Sequence, residues 1–345
     1  LEREFSIRIA RWMSKQGIRF QRRHSSGVGS LFPKLCALFF RLLVVLLIGL
    51  AIFWFYLSSR PATESFREDL ELQIQAGANA ASAEVISAAR YKGGLLDAQL
   101  KISSLSLGGS ENSFYEDWYA EEEERDLNGN VSLANNRKQL SVQAAIIQPF
   151  GIGDGVLHGW SGKKITLENL HCHLKTGADT DEKAMTSYQS IFKQYESLKV
   201  DNIVIIEADI GWGYDVSKGS IKGAEIEALR QNDVWKITVK GGTFSHGWLQ
   251  NTQIKTMNIE CHKDGLVKIV SADLRKGDGT LTLDAEIQMQ AKPVVKGKYA
   301  FEGMEVTDLV GQEYAVWLDG QVKGEGTLDG TLNTLSGIGS VTTVT

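Results

Sequence analysis

The chain is poor in proline and cysteine, with four prolines and three cysteines among 345 residues. Its 35 glycines therefore predict many tight turns rather than stiff linkers. In an oxidising compartment Cys172 and Cys261 can form a disulfide, but their spacing does not place their Cα atoms at bridging distance. We therefore expect free buried thiols.

Catalytic and cofactor motifs are missing as well. The segment Gly151–Gly155 has its third glycine at the wrong spacing for a dinucleotide loop, and Gly159–Lys164 has two residues between its glycines where a phosphate loop has four. Asp126–Asn130 begins like a calcium loop, but its twelfth position is Arg137 instead of a bidentate Glu. No G-x-S-x-G sequence organises the serines. We predict a protein that is not an enzyme and uses no cofactor.

The best metal candidate is the segment formed by His171, Cys172 and His173. On a strand, the two imidazoles would point to the same face. Zinc needs two further ligands, and no motif links His246 or His262 to this pair. We therefore expect ordinary polar residues of a strand here, and no metal.

Charge is distributed unevenly along the chain. Residues 1–34 contain eight Lys or Arg and two Glu, and Arg41 adds one more positive charge, so that subtracting +7 from the total of −5 leaves −12 for the rest. An acidic main part argues against nucleic acid as a partner. The basic segment is either an amphipathic helix on an anionic membrane surface or a disordered tail that sets topology.

The longest apolar run, from Leu35 to Leu57, has 23 residues and one charge, Arg41. A helix of this length can cross a hydrocarbon core of roughly 30 Å. Arg41 can extend to one interface, while Trp54 and Tyr56 suit the other. A cleaved signal peptide is the alternative, but its apolar core would be shorter and followed by small residues. We predict an uncleaved single-pass anchor with a cytoplasmic N-terminus, because the preceding segment is basic.

Residues 58–198 combine helix and strand signals. Apolar residues at helical spacing predict a helix over 64–80: Phe66, Leu70 and Ile74. A strand follows, and a change of apolar parity predicts a bulge near Ser103–Ser104. We expect a solvated acidic loop over 108–130, which contains Glu121–Glu124, and a second helix over 181–198.

Residues 199–345 alternate apolar and polar positions over several short segments separated by glycine turns, which predicts an antiparallel sheet. The sheet is either an open groove or a closed sandwich. The candidate lining residues of one apolar face are Ile237, Val239, Leu281, Leu283, Ile287 and Met289. The final residues, 341–345, predict a strand in progress, as expected for a segment of a longer product.

The predicted chain is thus mainly β with a few helices. Its predicted divisions are a basic cytoplasmic segment (1–34), a transmembrane helix (35–57), an α+β region with an acidic loop (58–198) and a β-rich region (199–345).

Four segments accompany this arrangement: Gly93–Ile102, Leu198–Ile203, Ile210–Trp212 and, most distinctively, Leu318–Gly330. Together with the N-terminal anchor, they resemble the AsmA-like family of bridge-like lipid-transfer proteins of Gram-negative envelopes. The likeness spans most of 35–345. The chain is shorter than family members that bridge the periplasm, and its acidic insertion departs from the family pattern.

The resemblance implies a sheet bent into a groove whose apolar inner face holds or moves phospholipid or another envelope lipid. It implies a bacterial inner-membrane protein with a cytoplasmic N-terminus and a periplasmic C-terminal domain. The inner membrane and other envelope proteins would be its partners, and nucleic acid would not. The alternation by itself indicates only a sheet with one apolar face.

Two functions remain open. The first is lipid shielding or transport in envelope biogenesis, which a continuous apolar groove would favour. The second is a membrane-tethered structural or interaction subunit of a secretion or surface assembly, which a closed sheet with a filled interior would favour.

Overall fold

The computed structural model describes Arg11 and residues 31–91, 99–125, 131–149, 162–175, 200–213, 218–246, 249–289, 294–310, 320–331 and 335–343. The chain divides into two compact units, Leu1–Tyr56 and Leu57–Thr345. We describe each unit by itself.

Helix α1, Leu31–Ser59, makes up the described part of the first unit apart from Arg11, and its last three residues lie beyond Tyr56, where that unit ends. Among the residues that the structure describes, no helix satisfies the length and apolarity expected of a membrane span. The transmembrane helix over 35–57 therefore stays a prediction. Large apolar side chains of α1, such as Phe39 and Val45, are more than half exposed at 69% and 65%.

The five residues predicted to mark the anchor all lie within α1. The side chains of Arg41 and Tyr56 are both exposed. For Leu35, Trp54 and Leu57, the structure describes the backbone alone. The basic segment 1–34 lies almost entirely outside the described residues.

After the end of α1, the second unit continues with a 3-10 turn, Arg60–Ala62, and helix α2, Glu64–Gly77. The helix predicted over 64–80 is confirmed and ends three residues earlier than expected. Leu70 is buried at its centre, and the other apolar residues of the predicted face, Phe66 and Ile74, pack against the same cluster. The spacing of these three residues is what turns one side of α2 toward strand β1.

Strands make up most of the second unit, so the prediction of a mainly β protein is confirmed. The strands are β1 (Ser82–Tyr91), β2 (Gln99–Gly108), β3 (Tyr115–Glu116), β4 (Trp118–Arg125), β5 (Val131–Lys138), β6 (Leu140–Pro149), β7 (Gly162–Leu174), β8 (Asn202–Trp212), β9 (Gly219–Gln231), β10 (Val234–Lys240), β11 (Thr243–His246), β12 (Leu249–His262), β13 (Leu266–Lys276), β14 (Gly279–Gln288), β15 (Val294–Glu305), β16 (Gln321–Thr331) and β17 (Leu335–Thr343). A one-turn helix, α3 (Val306–Val310), follows β15.

Fifteen strands form one sheet, in the order β1-β2-β6-β7-β8-β9-β10-β12-β13-β14-β15-β16-β17; in addition, β11 pairs with β9 and β12, and β3 pairs with β7. Within the described residues the order is linear, so β1 and β17 are its two edges. The predicted antiparallel pairing is confirmed for every neighbouring pair but one, because β7 and β8 run parallel.

The parallel pair has a physical reason in the length of its connection. Parallel neighbours need a crossover of a dozen or more residues, whereas antiparallel neighbours need only a hairpin. Residues 175–201 supply 27 residues between β7 and β8. The helix predicted over 181–198 lies in this connection, outside the described residues.

The expected acidic loop is wrong for residues 118–125. The glutamates Glu121–Glu124 belong to β4, which pairs with β5 in a separate two-stranded sheet. Cross-strand pairing over eight residues outweighs the low strand propensity of a glutamate run. At the base of this ribbon, Arg137 forms an ion pair with Asp117, donating from Nε to Oδ2 at 3.0 Å.

A line of residues with left-handed backbone crosses the first half of the sheet. Their φ angles are 50° at Ser104, 51° at Asn169, 62° at Glu207 and 66° at Gly223. We call this line the crease. The first three members lie at the same level of the register. Ser104 lies opposite Gln143 of β6, and Gln143 accepts a hydrogen bond from Asn169 of β7. Asn169 in turn lies opposite Glu207 of β8. The adjoining strands keep their register at Ser104, so the predicted bulge is wrong: a left-handed residue changes the parity here without an inserted residue.

The crease allows both halves of a strand to bury their apolar residues on one side. In β2, Leu100 and Ile102 lie before Ser104 and have the opposite sequence parity to Leu105 and Leu107, yet all four are buried. A regular strand would send one pair to the opposite face. The left-handed residue reverses that alternation.

Substitutions at the crease should change stability through backbone strain. A Cβ added at Gly223 meets no atom within 4 Å, so Gly223→Ala should lower the free energy of unfolding by about 1–2 kcal/mol from strain alone. Glu207→Gly relieves strain at the neighbouring strand and should leave stability unchanged or raise it by less than about 1 kcal/mol. Thermal unfolding of both variants measures the difference. Equal melting temperatures would show that the crease is not strained.

Candidate functional site

A continuous row of uncharged residues runs through the register of the whole sheet, from one edge to the other. Its members, one from each successive strand, are Ala88, Ile102, Ala145, Leu167, Ile205, Ile226, Val239, Met257, Ala272, Leu283, Tyr299, Gly326 and Gly339. At a strand spacing of about 4.8 Å, this row is about 60 Å long.

A second uncharged row lies two residues away on the same face of the sheet. It comprises Leu100, Ile147, Ile165, Ile203, Ala228, Ile237, Ile259, Ile269, Ala285, Gly297, Leu328 and Gly337. We call the surface formed by the two rows the apolar face.

The opposite face is mainly polar, with a few exposed apolar side chains such as Ile206 and Leu229, and side-chain bonds join its strands. Thr238 and Asn258 are hydrogen-bonded at 3.2 Å, and Asn258 donates to Ser271 at 3.0 Å. Ion pairs join further strands, with 3.0 Å between Lys268 Nζ and Glu286 Oε1. Separation of apolar and polar residues between the two faces indicates a sheet with one wet and one dry side.

Side chains of the apolar face are buried although few helices accompany the sheet. Val239 is 2% exposed and Ala272 is 1% exposed. In the described part of the second unit, the helices pack mainly against β1 at one end of the sheet and β15 near the other. Among the described residues, the packing in between is therefore mainly between side chains of the sheet itself. Open sheets of more than about ten strands generally curl, which brings side chains of one face together.

Bulges add to this curvature in the second half of the sheet. The register shifts between Ile254 and Thr256 in β12, and between Ile269 and Ala272 in β13. In β15 a further shift accompanies Gly303, whose φ is 65°. Bulges bend a strand and increase its twist, whereas the crease reverses the alternation of a strand without inserting a residue.

The six candidate lining residues lie on β10, on β14 and directly after β14. Val239 and Leu281 belong to the second buried cluster, and Ile237 and Leu283 pack against it. Ile287 is half-buried and faces Val267 and Val295 on the neighbouring strands. These positions agree with a shared apolar face; their role in binding stays a prediction.

Met289 follows the last residue of β14, and its backbone N donates to Gly265 O at 2.8 Å. It therefore lies at the rim of the sheet, where a strand ends and a turn begins. Its half-buried side chain has the sequence parity of Ile287.

The last strands replace branched side chains with glycine and cover the glycines with aromatic rings. The rings of Tyr299 and Phe301 are nearly parallel, 3° apart, with centroids separated by 6.3 Å. A Cβ on Gly324 would lie 2.6 Å from the Phe301 ring, and one on Gly326 would lie 2.6 Å from the Tyr299 hydroxyl oxygen. Aromatic rings placed over glycines stabilise such strands. At this end of the sheet, the apolar face therefore consists of glycine backbone beneath aromatic rings.

Helix α3 lies beside the same end. Its residues Val306 and Leu309 pack against the second buried cluster. Asp308 forms an ion pair with Lys276, with 3.1 Å between Oδ1 and Nζ. The backbone N of Val306 donates to Gly320 O at 3.0 Å, which ties the helix to the start of β16.

The two cysteines of the sheet are both free thiols, as expected. Cys172 lies on β7 and Cys261 on β12, with three strands between them in the sheet order. Four strand spacings amount to about 19 Å, well beyond the reach of a disulfide. Burial raises the pKa of Cys172 to about 12 and that of Cys261 to about 11.

The two histidines beside Cys172 each face a carboxylate. His171 Nδ1 is 3.2 Å from Asp209 Oδ2, and His173 Nδ1 is 3.2 Å from Glu116 Oε1. Trp118 stacks on His173 with ring centroids 6.2 Å apart. The described residues include no group of three or more His, Cys, Asp or Glu able to hold a metal ion. These histidines join β7 to its neighbours.

Most of the apolar face was missed by sequence analysis, which singled out residues on or beside two strands. Its first half uses buried residues such as Leu100, Ile102 and Ala145. Their alternation is interrupted at the crease, so a search for strict period-two patterns fails there. The sequence signal that could have revealed these residues is a short apolar segment whose apolar positions change from even to odd numbers, or the reverse, around a Ser, Asn or Gly.

No protein-family model matches this sequence, and neither a curated protein nor a solved structure matches it. The resemblance to the AsmA-like family therefore rests on the four sequence segments and stays a prediction.

The raised thiol pKa values predict slow labelling of the folded protein. In a Cys36→Ser variant at pH 8, Cys172 and Cys261 should stay protonated and react with a disulfide reagent at least about tenfold more slowly than in denaturant. Above the ordinary pKa of 9.0, the unfolded chain loses thiol protons that the folded chain keeps. Stability should therefore fall as pH rises from about 9 toward 11. Equal labelling rates before and after unfolding would contradict this prediction.

Proposed function

We propose that this chain is an AsmA-like protein, anchored in the bacterial inner membrane, that shields or transports lipids in the periplasm without catalysis. The continuity of the apolar face carries the proposal. Two adjacent uncharged rows reach from β2 to β17 without interruption. The predicted ligand is phospholipid or another envelope lipid, and the predicted partners are the inner membrane and other envelope proteins.

The physical basis of binding would be burial of acyl chains. Each methylene group removed from water contributes about 0.8 kcal/mol. A path of uncharged residues about 60 Å long offers no charged site at which an acyl chain must stop. Lipid headgroups would remain in water along the opening of the groove, since charges are costly to bury.

The membrane anchor in this proposal is the apolar part of α1. Its support is the sequence: 23 residues with one charge, preceded by a segment of net charge +6. Cationic segments next to a membrane helix tend to stay in the cytoplasm. The acidic β-rich unit would then lie on the periplasmic side.

A membrane-tethered structural subunit is the second candidate. A filled, closed interior would favour it, whereas a continuous open groove would favour lipid handling. The ribbon β4–β5 is a separate two-stranded sheet and is the feature most suited to such a role.

Lipid retention tests the proposal directly. Native mass spectrometry of the detergent-extracted protein, combined with lipid extraction, should find co-purified phospholipid. Reproducible absence of bound lipid would reject lipid handling and leave the structural role.

A pair of matched variants tests which face binds. Leu283→Asn places an amide on the apolar face and should reduce bound lipid severalfold, whereas Thr282→Asn, on the neighbouring polar face, should leave it unchanged. Circular dichroism must be the same for both variants. Loss of folding in Leu283→Asn alone would identify Leu283 as ordinary core, and equal lipid content in both would exclude the apolar face.

Membrane attachment needs its own experiment. Each Lys near the centre of a spanning helix costs about 2.5–3.5 kcal/mol, so a variant with Leu46→Lys and Leu50→Lys should move from the membrane pellet to the supernatant on alkaline carbonate extraction. Leu46→Ala with Leu50→Ala is the control and should stay in the pellet. Release of the unmodified chain by carbonate would refute an integral anchor.

A further inference from the structure

Tyr299 of β15 differs in chemistry from the other residues that form the apolar face. The remaining members of the two rows are Ala, Val, Ile, Leu, Met and Gly, so Tyr299 carries the one side-chain oxygen or nitrogen of these described rows. A polar atom on an otherwise apolar surface needs a physical reason, because leaving it without a hydrogen bond is unfavourable.

The hydroxyl is not needed to cover the glycines of the neighbouring strand. Phe301 covers Gly324 with a ring that has no hydroxyl, just as Tyr299 covers Gly326. The two rings are nearly parallel, so they pack in the same manner. A phenylalanine at position 299 would cover Gly326 equally well. Packing over glycine therefore accounts for the ring of Tyr299 but not for its hydroxyl.

The hydroxyl oxygen of Tyr299 lies above glycine backbone. A Cβ would lie 2.6 Å from this oxygen if added at Gly326, 2.7 Å if added at Gly339 and 3.6 Å if added at Gly337. Among the residues that the structure describes, we find no hydrogen bond to this oxygen. The half-buried side chain can therefore donate its hydroxyl hydrogen to a molecule that lies on the apolar face.

The row that contains Tyr299 continues with apolar side chains on the side away from these glycines. They are Leu283 of β14, Ala272 of β13 and Met257 of β12. In an acyl lipid, the ester carbonyl is the polar group next to the hydrocarbon chain. An acyl chain that lies along these residues would bring this carbonyl to Tyr299, where its oxygen accepts a hydrogen bond and the phenol donates one.

We propose that the Tyr299 hydroxyl donates a hydrogen bond to the ester carbonyl oxygen of a bound acyl lipid. The apolar face then selects lipids with acyl esters over ether-linked lipids that have the same chains and headgroup, because the ether lipid has no carbonyl at this point. This inference rests on the lipid-handling function proposed above and adds the chemical class of the ligand. Tyr299 acts as a specificity-determining residue, and the apolar residues of the face contribute the burial of the chains.

Native mass spectrometry of the full chain in detergent tests this selectivity, with equal concentrations of a diacyl phosphatidylglycerol and its dialkyl ether analogue, which differ in mass. The unmodified chain should carry about two- to tenfold more of the ester lipid, as expected for one net hydrogen bond. Tyr299→Phe keeps the ring and should bring this ratio close to one, with binding of the ether lipid and thermal unfolding unchanged. The control Tyr119→Phe removes a hydroxyl from the ribbon β4–β5, where Tyr119 is 67% exposed, and should keep the ratio of the unmodified chain.

The results that would overturn this inference differ from those that would reject lipid handling. Equal amounts of the two lipids on the unmodified chain, or the same ester preference in Tyr299→Phe, would show that the hydroxyl does not select the ligand, while lipid handling would stand. Lower thermal stability of Tyr299→Phe with an unchanged ratio would show that the hydroxyl is bonded within the protein. Absence of both lipids from the unmodified chain would reject lipid handling itself, and this inference with it.

Discussion

The constraint on which this structure depends is that apolar side chains must meet from strand to strand across the whole sheet. A single layer with few helices buries its apolar residues only if neighbouring strands present them on the same side at the same height. Where one strand departs from regular alternation of its apolar residues, the neighbouring strands depart from it at the same level of the register. Ser104, Asn169 and Glu207 take left-handed backbone at aligned positions. Burial of one face thus determines backbone geometry across several strands.

Much of the fold was accessible from the sequence because its signals were local. Helix α2 followed from the spacing of Phe66, Leu70 and Ile74, and β10 and β14 followed from regular alternation. The irregularity near Ser104 was visible as a change of apolar parity. The strand Trp118–Arg125 was not, because its glutamates suggest a solvated loop and its order depends on pairing with β5. The parallel pairing of β7 and β8 was equally inaccessible, since nothing within either strand specifies its direction relative to the other.

The sequence predicted that the candidate site is an apolar face of a sheet, but it did not predict how many strands contribute to that face. Six residues of two segments were identified, and the face to which they belong includes residues from every strand of the main path. Extent depends on register, which is a relation between segments far apart in sequence. Glycines show this most clearly: Gly324 and Gly326 look like turn residues, yet they form part of the floor beneath Phe301 and Tyr299. Their function depends on rings from another strand.

The parallel junction between β7 and β8 also bears on how the sheet assembles. From β8 to β17, strands pair mainly with their immediate successors in the chain, and such local contacts form quickly. Joining β7 to β8 requires closing a connection of 27 residues, which carries a larger entropic cost than a hairpin. The sheet is therefore expected to form as two blocks that unite at this seam. A chain emerging N-terminus first would complete the block up to β7 before the second block exists, and the seam would be the last part of the apolar face to close.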